Sequence, residues 1–445
     1  MKSTKGKMIC AVGASMVLQL CIGIVYMWSA LKSDIALSYG WNPDSAGMVY
    51  SYMLMTYVVG NLVGGIINDK KGPKVTCLIG VILFVCGMAL SALAKPFGLF
   101  VLTYAIMGGM GSGLAYGACI SCIQKWMPDK MGLATGLACC SFGLSTVIFT
   151  PVINSMMNAN RDADGLVNFV PVFLVVAGIV CVVGLIAVIF ITLPPEAQAM
   201  LGKKKTVVAI EGAEVITAKG GAQVTINPDG SRTWNFTLLQ AMKTPAFWAL
   251  FVSILLINGA WNLCVPLIKD LGIVRGLSVD AAVLCVSFTG IANAAGRLLM
   301  AALSDKFGRY SMMYILCVMN VVGAALMTFI TGAGYFGIIL MLAFAFGGPS
   351  SLNAAMSTDL FGPKNSGANY GAAMLAVGIS SIIFNFISEH ILHASVDAQT
   401  MTSNGIVATF IMAAVTAVVP FFMMLYISHY LKVRDEKLDK NLNRV

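Results

Sequence analysis

The stretch DAAVLCVSFTGIANAAGRLLMAALSDKFGR (280–309) decides how this chain folds. Its apolar run, 281–304, is long enough to cross the ~30 Å hydrocarbon core of a bilayer as a helix, which takes about 20 residues. One charge, Arg297, lies inside it, and the run closes on Asp305-Lys306-Phe307-Gly308. A guanidinium in hydrocarbon costs roughly 2.5–3.5 kcal/mol on insertion scales, so such a residue faces a polar cavity and has a task there. Arginine stays protonated, and its planar fork matches a carboxylate.

Eleven further runs flank this one. Cutting the chain at polar and Gly/Pro breaks predicts spans near 8–31, 46–68, 75–94, 97–122, 133–155, 168–193, 246–268, 281–304, 311–331, 335–358, 367–388 and 404–430. Arg297 is the one charged residue inside any of them. Only 11% of the chain is charged and 58% is hydrophobic, whereas soluble domains carry roughly 25% charged residues. The reading is an all-α membrane protein of twelve transmembrane helices in two six-helix halves. The first run is followed at once by a second span and lacks a small-residue cleavage site, so it reads as a helix and not a signal peptide.

A net charge of +9 raises the question of nucleic acid, and its placement answers it. With the N-terminus in the cytoplasm, that side receives Lys2, Lys5, Lys7, Lys70, Lys71, Lys74, Lys125, Lys130, Lys203–Lys205, Lys306, Arg309 and the cluster from Lys432 to Arg444. The other side receives Lys32, Lys95, Arg161, Lys269 and Arg275. This asymmetry is the positive-inside signal of a multi-pass protein of the cell membrane with both termini cytoplasmic. The partner it implies is the lipid bilayer, not nucleic acid.

The spans divide into an N-terminal half (1–193), a cytoplasmic linker (194–245) and a C-terminal half (246–445). GIINDKKGPK (65–74) follows the second span and ALSDKFGR (302–309) the eighth, so a D-K-x-G turn recurs at equivalent places in the two halves. Asp69 with Lys70, and Asp305 with Lys306 and Arg309, are therefore candidate gating residues that can pair across the interface between halves. A parallel six-plus-six repeat is a transporter architecture with its substrate site near the midplane. The linker carries the turn signal NPDG (227–230) between VITAKGGAQVTI and SRTWNF, which predicts a small hairpin. Its apolar content is too low for a separate catalytic domain.

Candidate binding residues cluster around the buried charge. Asn293 precedes Arg297 by one helical turn and shares its face, so it can help hold a carboxylate or orient the guanidinium. Tyr26 in the first span and Tyr116 in the Gly-rich fourth span carry hydroxyls that need a partner in hydrocarbon. Asn258 and Asn262 share a face of the seventh span, while Asn353 and Asn385 read as structural. The spacing of Gly60 and Gly64, and of Gly109, Gly113 and Gly117, predicts close helix packing. Most of the twelve Cys fall in apolar runs and read as small packing residues; Cys119 and Cys122 have CxxC spacing but no second ligand pair, so no metal and no cofactor is expected. No Asp or Glu lies within a span, no sequence resembles GxxxxGK[ST], and no nucleophile–base set appears. The chain does not read as an enzyme or an ATP-driven pump.

Several motifs in fixed order carry a family resemblance: GIVYMWSALK (23–32), KWMPDKMGLATGLA (125–138), MKTPAFW (242–248), NAAGRLLMAALSDKFGR (293–309) and DLFGPKNSGANYG (359–371). They resemble the oxalate/formate antiporter family within the major facilitator superfamily, which also holds lactate-type monocarboxylate carriers. The resemblance implies a secondary active transporter of small carboxylates working by alternating access, as a monomer, with a proton or a counter-anion as the coupled partner. In the dicarboxylate-type member, the Arg of the eighth span is paired with a Lys of the eleventh, in a stretch reading YG…TAKG. Here that stretch begins Tyr370-Gly371, and Val377 stands where the Lys would be. Related monocarboxylate carriers place Asp four residues before the Arg, where this chain has Asn293.

A dianion facing a single buried cation leaves one charge unpaired, which is costly. A monoanion is neutralised by Arg297 alone. The expected substrate is a formate-, lactate- or pyruvate-like monocarboxylate, with Val377 and Met374 as the apolar wall. The alternatives are an oxalate/formate-type exchanger and a carrier of a larger organic acid; a non-transporting sensor lacks an output domain. Val377→Lys is expected to give measurable oxalate or malonate binding where the parent protein has none, checked by thermal shift. No gain in dianion binding counts against this account of selectivity.

Overall fold

The computed structural model describes residues 2–199, 214–217, 221–226, 232–362, 365–388 and 404–442. Among them, twelve helices are long and apolar enough to cross a membrane. Spans 1 to 6 are Lys5–Ile22, Ser45–Lys71, Pro73–Ser91, Phe97–Trp126, Gly132–Ala159 and Phe169–Phe190. Spans 7 to 12 are Pro245–Cys264, Val279–Phe307, Arg309–Leu326, Ala333–Phe361, Gly367–Phe386 and Val407–Glu436. In lipid every backbone N–H and C=O must be paired within the segment, and an uninterrupted apolar helix is the simplest solution. With six spans on each side of the linker, the linker, both termini and the two D-K-x-G turns lie on one face, called here the linker face.

Both turns are built alike. Gly72 and Gly308 take φ of +85° and +88°, in the region that favours glycine, and each is followed directly by the next helix. The glycine of D-K-x-G is thus demanded by a reversal too tight for a side chain.

Three local features depart from the sequence expectation. Span 1 does not run unbroken to residue 31: an α-helix ends at Ile22, a tight 3-10 segment covers Gly23–Met27, and a second helix follows at Trp28–Tyr39. A side chain at Gly23 would overlap the Phe142 carbonyl, so the chain narrows where span 5 crosses it. Trp28 is fully buried in the N-terminal half, its indole N–H donating to the Ala46 carbonyl at 2.9 Å, its ring against Tyr104 and Phe100. It is a core residue of the N-terminal half, although a Trp near the outer end of a span can also be read as an anchor at the membrane interface. Lys32, placed by the sequence reading among exposed charges, is only 4% exposed, on a helix that packs against Val265–Leu267 of the other half.

The linker forms three antiparallel strands: β1 (Glu214–Thr217), β2 (Gln223–Ile226) and β3 (Arg232–Asn235), in sheet order β1-β2-β3. The predicted hairpin is the β2–β3 pair, and β1 adds a third strand to it. The sheet is fastened to the C-terminal half. Phe236 N–H donates to the Phe361 carbonyl at 2.9 Å, and the Asn365 and Asn369 amides donate to the Phe236 carbonyl. The Trp234 indole donates to Asp435 at 3.1 Å while the Arg434 guanidinium lies over its ring. Beyond the bundle, then, an otherwise all-helical protein carries one small sheet.

Within each half, glycine lets backbones touch. Gly60 and Gly64 of span 2 face Met110 and Leu114 of span 4, and a methyl on Gly113 would overlap the Tyr57 carbonyl. Between halves, span 2 lies along span 11, with Gly371 on Leu62 and Gly378 on Met55 and Val58, and span 5 lies along span 8, with Gly143 on Ala294. Gly113→Ala is expected to destabilise the protein by about 1–3 kcal/mol through over-packing and to lower its melting temperature in detergent. Gly337→Ala, with nothing within 4 Å of the added methyl, is expected to leave the melting temperature unchanged or slightly raised.

Candidate functional site

Arg297 sits midway along span 8 and is 2% exposed. Its Nε donates to Asn293 Oδ1 at 2.7 Å, as one-turn spacing on a shared face allows. One terminal nitrogen donates across the interface to the Cys139 carbonyl of span 5 at 3.3 Å, and the guanidinium carbon stands 5.7 Å from the Phe142 ring centroid. Asn293 thus fixes one edge of the fork and turns the other toward the N-terminal half.

Span 10 holds this stretch from behind. A methyl at Gly347 would overlap the Asn293 carbonyl, one at Gly296 would overlap that of Phe344, and Ser351 Oγ donates to the Arg297 carbonyl at 3.0 Å. Spans 8 and 10 touch at backbone distance only because both contacts are glycines.

In front of Arg297 lies a small cavity between the halves. Tyr57 and Tyr116 face it from the N-terminal half, beside Leu54. The Tyr116 hydroxyl is 3.2 Å from Cys139 Sγ, and the rings of Tyr57, Tyr116 and Phe142 pack at 5.0–5.7 Å. From the C-terminal half come Asn258, Phe346, Ser350, Asn353, Met374 and Val377. One end is therefore cationic and hydrogen-bonding, and the Leu54, Met374 and Val377 wall is apolar. Small-molecule sites combine concavity, apolar lining and a few placed polar groups in this way.

Of the residues anticipated from sequence, Arg297, Tyr116, Asn258, Met374 and Val377 line this cavity, and Asn293 supports it. Asn262 does not: its amide donates to Ser380 Oγ at 3.1 Å, tying span 7 to span 11. The helix of span 7 is interrupted at Asn258, whose amide donates to the Ile254 carbonyl, and this break separates two asparagines expected to act together. The side chain of Tyr26 lies outside the described residues. Tyr57, Phe346, Ser350 and Asn353 are lining residues that sequence reading missed or set aside. Phe346, Ser350 and Asn353 recur at helical spacing, a signal visible only once the inward face of span 10 is known.

A second small cavity lies on the side away from the linker and is bounded by Thr146, Trp261, Thr289 and Asn293 among others. The Trp261 ring stacks on Phe346 at 5.5 Å, and this pair stands between the two cavities. Beyond, Asn385 Nδ2 donates to Ser51 Oγ at 2.7 Å and to Ser381 Oγ at 3.2 Å, so spans 2 and 11 are joined by hydrogen bonds at this end.

At the linker face the candidate gating residues occupy pseudo-symmetric positions. Asp305, ending span 8, abuts Gly132 in the first turn of span 5, where a methyl would collide with its carboxylate. Asp69, ending span 2, has Oδ2 3.8 Å from where a Cβ on Gly367 would stand, in the first turn of span 11. Each carboxylate meets the positive end of a helix in the opposite half. The basic residues do something else. Arg309 pairs with Asp359 of its own half at 2.9 Å, Lys306 lies 5.4 Å from the Phe307 ring centroid, and Lys70 is exposed. The cross-half contact made by Asp305 is thus with a helix terminus, while the arginine of its motif is engaged within the half.

Among the described residues, no group of three or more His, Cys, Asp or Glu side chains is placed to hold a metal ion.

This arrangement, two six-helix halves enclosing a cavity, can be set beside known proteins. The family model described as Major Facilitator Superfamily matches residues 11–385. The oxalate:formate antiporter of Oxalobacter formigenes is 25% identical over 416 residues, 92% of this chain and 89% of that protein. Apicoplast pyruvate carrier 1 of Toxoplasma gondii is 29% identical over 135 residues, 30% of this chain and 24% of that protein. The solved structure of a proton:xylose symporter superposes with a TM-score of 0.70 at 16% identity, covering 95% of this chain and 96% of that one. Family and fold agree: the chain belongs to the Major Facilitator Superfamily and is a multi-pass membrane transporter, not an enzyme.

Proposed function

We propose that the protein is a secondary carrier of small monocarboxylates, exchanging one for another by alternating access. The observation that carries this reading is a single arginine lining a half-apolar cavity at the interface between halves. No lining residue of that cavity is a carboxylate, a lysine or a histidine. One carboxylate neutralises Arg297, whereas a dianion would bring a second charge with no cation in the lining to meet it. The similarity to an oxalate:formate antiporter supports an organic anion, and Val377 argues for a substrate of one charge.

Exchange follows from the same charge. A carrier whose site holds a cation reorients more easily when an anion neutralises it, because the bare charge must otherwise cross in low dielectric. With no titratable acid among the lining residues, a proton coupled to transport would have to travel on the substrate.

In this reading Arg297 grips the carboxylate, Asn293 orients the fork, and Tyr116 and Asn258 bound the polar end. Met374 and Val377 pack against the carbon chain. The halves then rock: Asp69 and Asp305 hold the linker face against the helix termini of the opposite half, while Ser51, Ser381 and Asn385 hold the other end. The lining residues of the cavity all belong to one chain, which supports the monomer as the transporting unit. The distribution of lysine and arginine supports a cytoplasmic linker face and cytoplasmic termini.

In proteoliposomes preloaded with unlabelled acid, counterflow of a labelled monocarboxylate is expected to exceed uptake driven by a pH gradient alone. Arg297→Ala is expected to abolish it, and Arg297→Lys to weaken it through loss of the bidentate fork. Wild-type-like counterflow in Arg297→Ala overturns the assignment.

A second expectation concerns the gate. Asp305→Asn removes a charge from a helix terminus, an interaction of about 0.3–1 kcal/mol. With Ala301→Cys as a reporter buried behind it, thiol labelling from the linker side is expected to quicken by roughly 2- to 5-fold. Unchanged labelling removes Asp305 from the gate.

A further inference from the structure

Among the groups lining the Arg297 cavity, Asn353 stands apart. It is 1% exposed, and its carbonyl Oδ1 has no hydrogen-bonding partner in the protein. Its neighbours in the lining are engaged: Asn258 donates to the Ile254 carbonyl, Ser350 to the Phe346 carbonyl, and Tyr116 shares a hydrogen bond with Cys139. A buried amide left without partners is destabilising, and native structures keep few of them unless a ligand or water completes the set.

Its position fits a ligand held by the arginine. Asn353, from span 10, lines the same small cavity as Arg297, from span 8. It shares the inward face of span 10 with Phe346 and Ser350. An acid whose carboxylate meets the guanidinium in so small a cavity brings the carbon next to that carboxylate within the same lining as this amide. The amide offers both a donor and an acceptor, so it can serve a hydroxyl or a keto oxygen. A bare methyl or methylene would leave it unpaired.

Resting on the monocarboxylate reading above, we propose that Asn353 is a specificity residue that reads an oxygen on C2, and that the substrates are short 2-hydroxy or 2-oxo monocarboxylates. Formate, which has no second carbon, and unsubstituted acids such as propionate are discriminated against. Selection of this kind is steep because a site built to hydrogen-bond a substrate group is left with a buried polar atom when that group is missing.

The test uses lactate and propionate, which share a carbon skeleton and a charge and differ by one oxygen. In proteoliposomes of the full chain, the wild type is expected to prefer lactate, and pyruvate likewise, over propionate by at least ~10-fold in kcat/KM. Asn353→Leu, close in size but apolar, is expected to bring that ratio near one by losing lactate and keeping or gaining propionate. Retained propionate transport shows that the variant is folded, and Asn353→Ala serves if leucine is not accommodated. A wild type without preference, or a variant that keeps the wild-type ratio, overturns the proposal, the latter meaning that the amide is satisfied by water alone. If the wild type moves both acids and Arg297→Ala abolishes both, the carboxylate reading stands whichever way the ratio falls. If the wild type moves neither, that reading fails and this proposal with it.

Discussion

A cation buried between the two halves governs this structure. Arg297 is buried at the seam of two halves, and the groups shown to bond it, the Asn293 amide and the Cys139 carbonyl, are dipoles and not charges. Dipoles orient a guanidinium and lower its desolvation cost without cancelling its charge. The surrounding architecture follows from that. Glycines at 296 and 347 bring span 10 close behind it, tyrosines bound the cavity in front, and apolar side chains close the far wall. In the proposed function, this cation is what a small carboxylate meets on entering the cavity.

The same logic links selectivity and coupling, which are usually treated apart. The family resemblance implies that Val377 stands where related carriers have a lysine and Asn293 where they have an aspartate, which would leave the site without one cation and one proton acceptor. Both substitutions simplify the electrostatics to a single site of a single sign. What such a site can distinguish is then decided by hydrogen bonding and shape, which is why an uncharged amide such as Asn353 acquires importance.

Much of this could be read before the fold was seen, for reasons that differ by feature. Hydrocarbon length makes the spans visible, and the tight D-K-x-G reversals declare themselves because only glycine tolerates their positive φ. Arg297 and Asn293 were paired by helical spacing alone. The rest was hidden because a membrane helix lacks the contrast that marks the inner face of a soluble one: leucine suits lipid and core equally. Tyr57 and Asn353 therefore look no different in sequence from Tyr52 or Asn320, which do not line the cavity. Asn262 misled because a break at Asn258 interrupts its helix, and Cys139 contributes a backbone carbonyl, which every residue has. Lys32 looked like an exposed end-of-helix charge until the helix beginning at Trp28 carried it against the opposite half.

The linker sheet bears on how this protein can be watched at work. Its strands are held by Phe361, Asn365, Asn369 and Asp435, all in the C-terminal half. A protein of 47.0 kDa with little mass outside the bilayer gives imaging methods few landmarks. Here the sheet is hydrogen-bonded to one half, so an antibody fragment bound to it would report the angle between the halves without touching the membrane-spanning helices.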